Sequence, residues 1–260
     1  MKRTAVFRLR EFFFPSGCAG CGEILVNPYD TLYGLCENCI ACFEKELSCE
    51  KRCEICGKPL ITENKVCLLC RKGDEDSPII GRYNEWLTKT YSLFPYRGKL
   101  KTVLRAYKFG NSLGVGNYMA HCLEKTIPNL WPELKNSDIS DKSEGSIAWV
   151  PVPPKPGKIK KKGWDQIRYL SKVLQEQSDC GIHIPINNCL LRLTSQSQKE
   201  LNKEQRKANM KGRILCTKTP PGTAIIFDDV ITTGATLDAC AKALLEGGSK
   251  SVYGICLFYD

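Results

Sequence analysis

Residues 224–237 read Ala-Ile-Ile-Phe-Asp-Asp-Val-Ile-Thr-Thr-Gly-Ala-Thr-Leu, a run that asks for a strand, a tight loop and a helix in succession. Ala224 to Phe227 are apolar in a row, the pattern of a buried strand. Two adjacent carboxylates follow, Asp228 and Asp229, and then the hydroxyl- and glycine-rich loop Thr232-Thr233-Gly234-Ala235-Thr236. Helical spacing starts at Leu237 and continues through Ala241, Leu244 and Leu245. A strand that feeds such a loop and a helix N-terminus makes an anion cradle, because unpaired N–H groups and the positive end of the helix dipole face the loop. Gly234 lets the backbone approach an anion closely, and the threonine hydroxyls add donors. Carboxylates beside this cradle would repel a phosphate unless they serve something else, either vicinal hydroxyls of a sugar or a divalent metal held by those hydroxyls. A ligand with a phosphate at one end and a diol a few ångströms away is a ribose 5-phosphate. The competing reading is a Rossmann-type turn whose aspartates are only solvated at the strand's end.

The stretch resembles the phosphoribosyl-pyrophosphate (PRPP) motif of type I phosphoribosyltransferases. The resemblance implies that Asp228 and Asp229 hold the ribose 2′- and 3′-hydroxyls, and that Thr232, Thr233, Gly234, Ala235 and Thr236 form the 5′-phosphate loop.

The N-terminal part is organised differently. Four Cys-x-x-Cys pairs occur in order, Cys18/Cys21, Cys36/Cys39, Cys53/Cys56 and Cys67/Cys70. Each pair offers two thiolates from one turn, and four pairs in so short a segment point to two tetrahedral zinc sites rather than to disulfides. The first and third pairs are followed by Gly22 and Gly57, which let the chain turn so that N–H groups reach the sulfurs; the second and fourth pairs lack a glycine and read as closing knuckles. This favours two sequential ribbons over a cross-braced pair. Cys42 and Cys49 fall outside the pattern and read as packed thiols, and the six cysteines from Cys122 onward as small core residues. No histidine precedes His121, so nothing here has the open position of a catalytic zinc site.

Residues 1–75 carry 11 Lys/Arg and 11 Asp/Glu, so the formal +10 lies wholly in the remainder, with 27 against 17. With eight thiolates on two zinc ions the N-terminal segment becomes about −4 and the chain about +6. The first residues, MKRTAVFRLREFFF, are broken by Arg8, Arg10 and Glu11 into apolar runs shorter than the ~7 residues of a secretory h-region. They read as an amphipathic helix with Val6, Leu9 and Phe13 on one side. No run is long enough to span a membrane, and the expected location is the cytoplasm.

The charged stretch Lys72 to Pro78 marks an expected boundary between a domain at 1–75 and one at 76–260. Beyond it, strand signals at 90–96, 146–153, 190–193, 224–227 and 251–258 alternate with helical spacing at 99–109, 111–127, after Gln166 and from Leu237. That alternation predicts an α/β fold with a parallel sheet flanked by helices, binding its ligand beyond the carboxyl ends of the strands. Residues 132–145 read as a polar surface loop. The strand ending at Pro153 runs into Pro154, Lys155 and a lysine-rich loop with Lys158, Lys160, Lys161 and Lys162, followed by Trp164. Such a loop is either a solvated surface or a clamp for pyrophosphate or another polyanion. Residues 194–209 are polar and basic without an apolar period, as in a flexible loop.

The cysteine pairs, Tyr96-Arg97-Gly98, Lys108-Phe109-Gly110, Pro151-Val152-Pro153, Lys162-Gly163-Trp164-Asp165-Gln166 and the series Leu191, Arg192, Thr194, Gln198, Leu201, Arg206, Asn209 resemble the ComF family of competence proteins. In that family a double zinc ribbon precedes a phosphoribosyltransferase-like domain. Its usual Arg-Gly-Phe-Asn-Gln stands here as Lys-Gly-Trp-Asp-Gln. The resemblance implies a pyrophosphate loop at Pro153, Pro154 and Lys155, and a flexible lid containing Gln198, Arg206 and Asn209. It implies Mg²⁺-dependent phosphoribosyl transfer from PRPP to an unnamed acceptor, linked to DNA uptake. It also admits a non-catalytic factor that binds PRPP or single-stranded DNA, with Trp164 as a stacking ring. A third reading has the ribbons recruit a competence helicase or recombination protein.

Overall fold

In a computed structural model of the protein, the described residues are 16–49, 51–54, 56–71, 86–110, 112–130, 147–158, 163–176, 184–193, 214–232 and 234–260. The expected N-terminal helix, the charged boundary, Lys160 to Lys162, Thr233 and the 194–209 loop lie outside them. Among the described residues three short helices come first: α1 (Pro28–Tyr33), α2 (Glu37–Leu47) and α3 (Leu68–Arg71). They are followed by β1 (Lys89–Pro95), α4 (Gly98–Gly110), α5 (Leu113–Leu130), β2 (Ile147–Pro151) and α6 (Gln166–Glu176). The chain ends with β3 (Leu190–Arg192), β4 (Ile214–Cys216), β5 (Thr223–Ile231), α7 (Ala235–Glu246) and β6 (Ser251–Tyr259).

Four strands form one parallel sheet in the order β1-β6-β5-β2, while β3 and β4 make a separate antiparallel pair. Both faces are covered, which is why the central strand reads as a continuous apolar run. Adjacent residues of β5 point to opposite faces. Ile225 and Phe227 join Trp149, Ile255 and Leu257 under α4, α5 and α6. Ala224 and Ile226 join Val150, Val252 and Cys256 under Leu237, Cys240, Ala241 and Leu244 of α7. The acid pair was expected just past the strand. Instead β5 continues through both aspartates, because pairing with β6 extends to Ile231 opposite Tyr259.

β2 leads to α6 on one face, and β5 leads to α7 on the other. Their connections therefore diverge and leave a crevice at the carboxyl ends of these two neighbouring strands, where open parallel sheets bind ligands.

The cysteine-rich region packs directly on this sheet. Cys18, Cys36, Cys39, Ile40 and Phe43 belong to the same hydrophobic cluster as Phe94, Val103 and Phe258. Phe43 stands edge-on to Phe94 with ring centroids 4.8 Å apart. The half-buried Arg52 guanidinium ties the second cysteine segment to the sheet, donating to the carbonyls of Cys49, Gly57 and Ser92 at 3.2, 3.0 and 3.3 Å, and to that of Glu46. The bond to Ser92 occupies one carbonyl of β1, an edge strand of the sheet.

Candidate functional site

The eight predicted cysteines assemble as two sequential tetrads, Cys18/Cys21/Cys36/Cys39 and Cys53/Cys56/Cys67/Cys70, with the sulfurs of each within 4.8 Å of one another. Four thiolates at ~2.3 Å from one ion would stand about 3.8 Å apart. The Cys21–Cys36 and Cys56–Cys67 sulfurs are separated by 3.6 and 3.8 Å. Each tetrad could therefore hold a metal ion, and the all-sulfur donor set suits zinc. The two opening knuckles repeat one geometry. Gly22 and Gly57 both have positive φ, and their N–H groups bond the carbonyls of Cys18 and Cys53. The N–H groups of Gly20 and Cys36 donate to Cys18 Sγ, and that of Cys67 donates to Cys53 Sγ. Burial raises the Cys18 thiol, but the N–H groups of Cys36, Gly20 and Cys21 outweigh it and bring the pKa down to about 7. Cys42 and Cys49 stand apart from both tetrads, each donating its S–H to a carbonyl, of Asn38 and Lys51. Among the later cysteines, Cys122, Cys189, Cys240 and Cys256 are buried as expected, Cys216 is half-buried, and Cys180 lies outside the described residues.

At the other end of the sheet, β5 carries Asp228 and Asp229 to the mouth of the crevice. Alternation sends Asp228 toward the α7 face, close enough to Cys240 and Cys256 for its charge to add to burial in raising both thiols. Asp229 turns to the opposite face and pairs with Lys108 from the last turn of α4, Nζ to Oδ1 at 2.9 Å. The Asp229 N–H donates to Asp228 Oδ1 at 2.7 Å. Burial, then the neighbouring Asp229 charge, push the Asp228 carboxyl up from 3.8 to about 7, against the pull of the Asp229 N–H, Lys108 and Lys158.

The loop from Thr232 ends at Gly234, which has φ 74° and is the N-cap of α7. No side chain caps this terminus, and Ala235 and Thr236 form its first turn. The N-terminus of α7 and the positive end of its dipole thus face the carboxyl end of β5. On the other side of the crevice, the Val152 N–H donates to the Phe227 carbonyl at 3.1 Å, which sets Pro153, Pro154 and Lys155 beside the acid-bearing end of β5. Pro153 is buried, Pro154 half-buried and Lys155 exposed.

Within the lysine-rich loop, Lys158 is a described residue with a defined partner. Lys158 Nζ lies 2.6 Å from Asp165 Oδ2, and Asp165 Oδ1 accepts the Arg168 N–H, capping α6. Trp164 is half-buried and stands edge-on to Tyr107 and Tyr169, with centroids 5.3 and 6.4 Å away. The Gln166 amide donates to the Lys108 carbonyl at 3.0 Å, and the Tyr107 hydroxyl donates to the Gln166 carbonyl at 2.6 Å. Lys108 was visible in the sequence only as part of Lys108-Phe109-Gly110. Its position, ending a helix without acidic residues that follows a strand of the site's own sheet, was the available signal. Lys160, Lys161, Lys162, Thr233, Gln198, Arg206 and Asn209 lie outside the described residues.

Among the described residues no helix is long and apolar enough to cross a membrane. No family model matches the chain. It is 27% identical over 205 residues to Competence protein ComFC of Bacillus subtilis (strain 168), which covers 76% of this chain and 73% of that protein. It is 24% identical over 249 residues to Competence protein F of Haemophilus influenzae, across 92% of this chain and 95% of that protein. The likeness to these two competence proteins, together with the paired cysteine tetrads, supports a ComF-family competence protein.

Proposed function

We propose that the protein binds PRPP and acts as a phosphoribosyltransferase-like factor in competence and DNA uptake, with zinc in both tetrads. The observation that carries this reading is the acid pair at the carboxyl end of β5, directly before the N-terminus of α7 and beside the end of β2. The 5′-phosphate sits on the backbone N–H groups and hydroxyls of residues 232–236, where the helix dipole favours negative charge. Asp228 and Asp229 accept hydrogen bonds from the ribose hydroxyls. The loop at Pro153, Pro154 and Lys155 faces the pyrophosphate, with Lys155 offsetting charge on the leaving group. Mg²⁺, when bound with PRPP, neutralises pyrophosphate oxygens and keeps most of its own water. In transfer, the C1′–O bond breaks with its electron pair leaving on pyrophosphate. The acceptor's nucleophile then bonds C1′ and gives up a proton to solvent.

Calorimetric titration with PRPP and Mg²⁺ tests the reading. The Asp228→Asn/Asp229→Asn variant is expected to keep its fold and both metals but lose measurable PRPP binding. Equal binding by variant and wild type would refute the ribose assignment.

A further inference from the structure

Lys108 occupies an unusual place in this site. Its ammonium pairs with Asp229, and the two side chains are 22% and 15% exposed, so the pair stands at the crevice mouth rather than in bulk solvent. Its backbone is fixed as well. Gln166, at the start of α6, donates to the Lys108 carbonyl, and Tyr107 on α4 donates to the Gln166 carbonyl. The end of α4 is thereby clasped to the start of α6, and the lysine stem starts from a defined point. Lys158, the other lysine whose charge acts on Asp228, is committed elsewhere. It pairs with Asp165, whose side chain is 2% exposed, and breaking that pair would strand a buried carboxylate. Lys108 is different because its partner is a carboxylate that a bound sugar diol would claim.

We propose that Lys108 is a specificity-determining residue that selects a sugar phosphate bearing pyrophosphate at C1′ over the same sugar phosphate without it. The inference rests on the reading of Asp228 and Asp229 as the diol-binding pair. In the ligand-free protein Lys108 serves as counter-ion to Asp229. When ribose hydroxyls take up Asp229, the ammonium is released within reach of the C1′ side of the crevice. There it meets the pyrophosphate, whose charge the rest of the acid pair would repel. Gln166 positions it by holding its main chain. A ligand with only a hydroxyl at C1′ would break the Lys108–Asp229 pair without offering the ammonium an anionic partner in exchange, so such a ligand is disfavoured.

The test compares wild type, Lys108→Gln and Lys108→Arg by calorimetry, titrating PRPP with Mg²⁺ and, by displacement of PRPP, ribose 5-phosphate. Wild type is expected to prefer PRPP. Lys108→Gln should lower the PRPP-to-ribose-5-phosphate affinity ratio about tenfold or more, the loss of one charge-assisted contact. Ribose 5-phosphate affinity should hold or rise, because Asp229 no longer has to surrender a partner. Lys108→Arg should restore most of the ratio. An unchanged ratio in Lys108→Gln, or an equal loss of both ligands, overturns the role of Lys108 while leaving PRPP binding by the wild type intact. Failure of the wild type to bind PRPP would instead remove the site reading itself, and the inference with it.

Discussion

Asp228→Asn should make the protein more stable while removing ligand binding, and the gain should depend on pH in a defined way. On folding, burial and the adjacent Asp229 raise the Asp228 carboxyl from 3.8 to about 7. At about 1.36 kcal/mol per pH unit, holding this group ionised in the folded protein costs about 4 kcal/mol. The sign follows from proton binding. A raised acid binds its proton more tightly when folded, so the cost is absent below the unfolded pKa. It grows as pH rises between 3.8 and about 7, and it is fully present above that window. Asparagine has the same shape and keeps an Oδ1 that can accept the Asp229 N–H, but it has no charge to bury. Urea unfolding of wild type and variant, with metal held constant, gives the difference free of other titrating groups. The advantage of Asp228→Asn should increase by about 2 kcal/mol between about pH 5.5 and 7.5 and then level off. In a Lys108→Gln background the window should move upward, because Lys108 pulls the carboxyl down. A stability difference that is flat across this range would refute the buried, raised carboxyl. A residue that destabilises the fold in its working charge state is expected at a binding site rather than in a core.

Two further outcomes concern the cysteine region. Gly57→Ala should cost well over ~2 kcal/mol, and Gly22→Ala only about 1, although both positions have positive φ. A Cβ on Gly57 would meet Tyr91 Cα at 2.8 Å and Ser92 N at 3.0 Å on β1, whereas one on Gly22 meets nothing within 4 Å; equal losses in chemical denaturation would contradict this packing. Metal analysis should find about two zinc ions per chain. The Cys42→Ser/Cys49→Ser variant should retain both, and loss of either ion on that substitution would show that the tetrads are misassigned.

Much of this architecture is legible in the sequence because it rests on local patterns. The alternation of strand and helix signals gives the parallel α/β sheet, and the glycines after Cys21 and Cys56 mark the knuckles whose tetrads close in sequence. The end of β5 was misplaced for a physical reason. The apolar run stops at Phe227, but the strand is continued by ladder hydrogen bonds to β6, which are indifferent to side-chain polarity. The Lys108–Asp229 pair joins residues more than a hundred positions apart, and no periodicity reports such a contact. The lysine loop reads as a block of equivalent charges, and nothing in the sequence reports that Lys158 has a buried partner, Asp165. Arg52 looks like any basic residue beside a cysteine, and only the fold brings the distant Ser92 carbonyl to it beside the nearby carbonyls of Cys49 and Gly57.

The metal segments and the ligand site depend on the same sheet, from opposite directions. A ribbon of this size has no core of its own, so its fold comes from the metal and from whatever it packs against. Here the second ribbon packs against β1, with Gly57 pressed on Tyr91 and Arg52 bonded to Ser92. The sheet needs that contact in return, because β1 is an edge strand with Leu93 and Phe94 fully buried and unable to tolerate solvent. β1 pairs with β6, β6 pairs with β5, and Asp228 lies opposite Cys256 in that register. Lys58 reinforces the link, its ammonium 4.6 Å from the Tyr259 ring centroid at the end of β6. The strand that carries the acid pair is therefore flanked by β6 and then β1, whose outer side packs against the second cysteine tetrad, a group that could hold a metal ion.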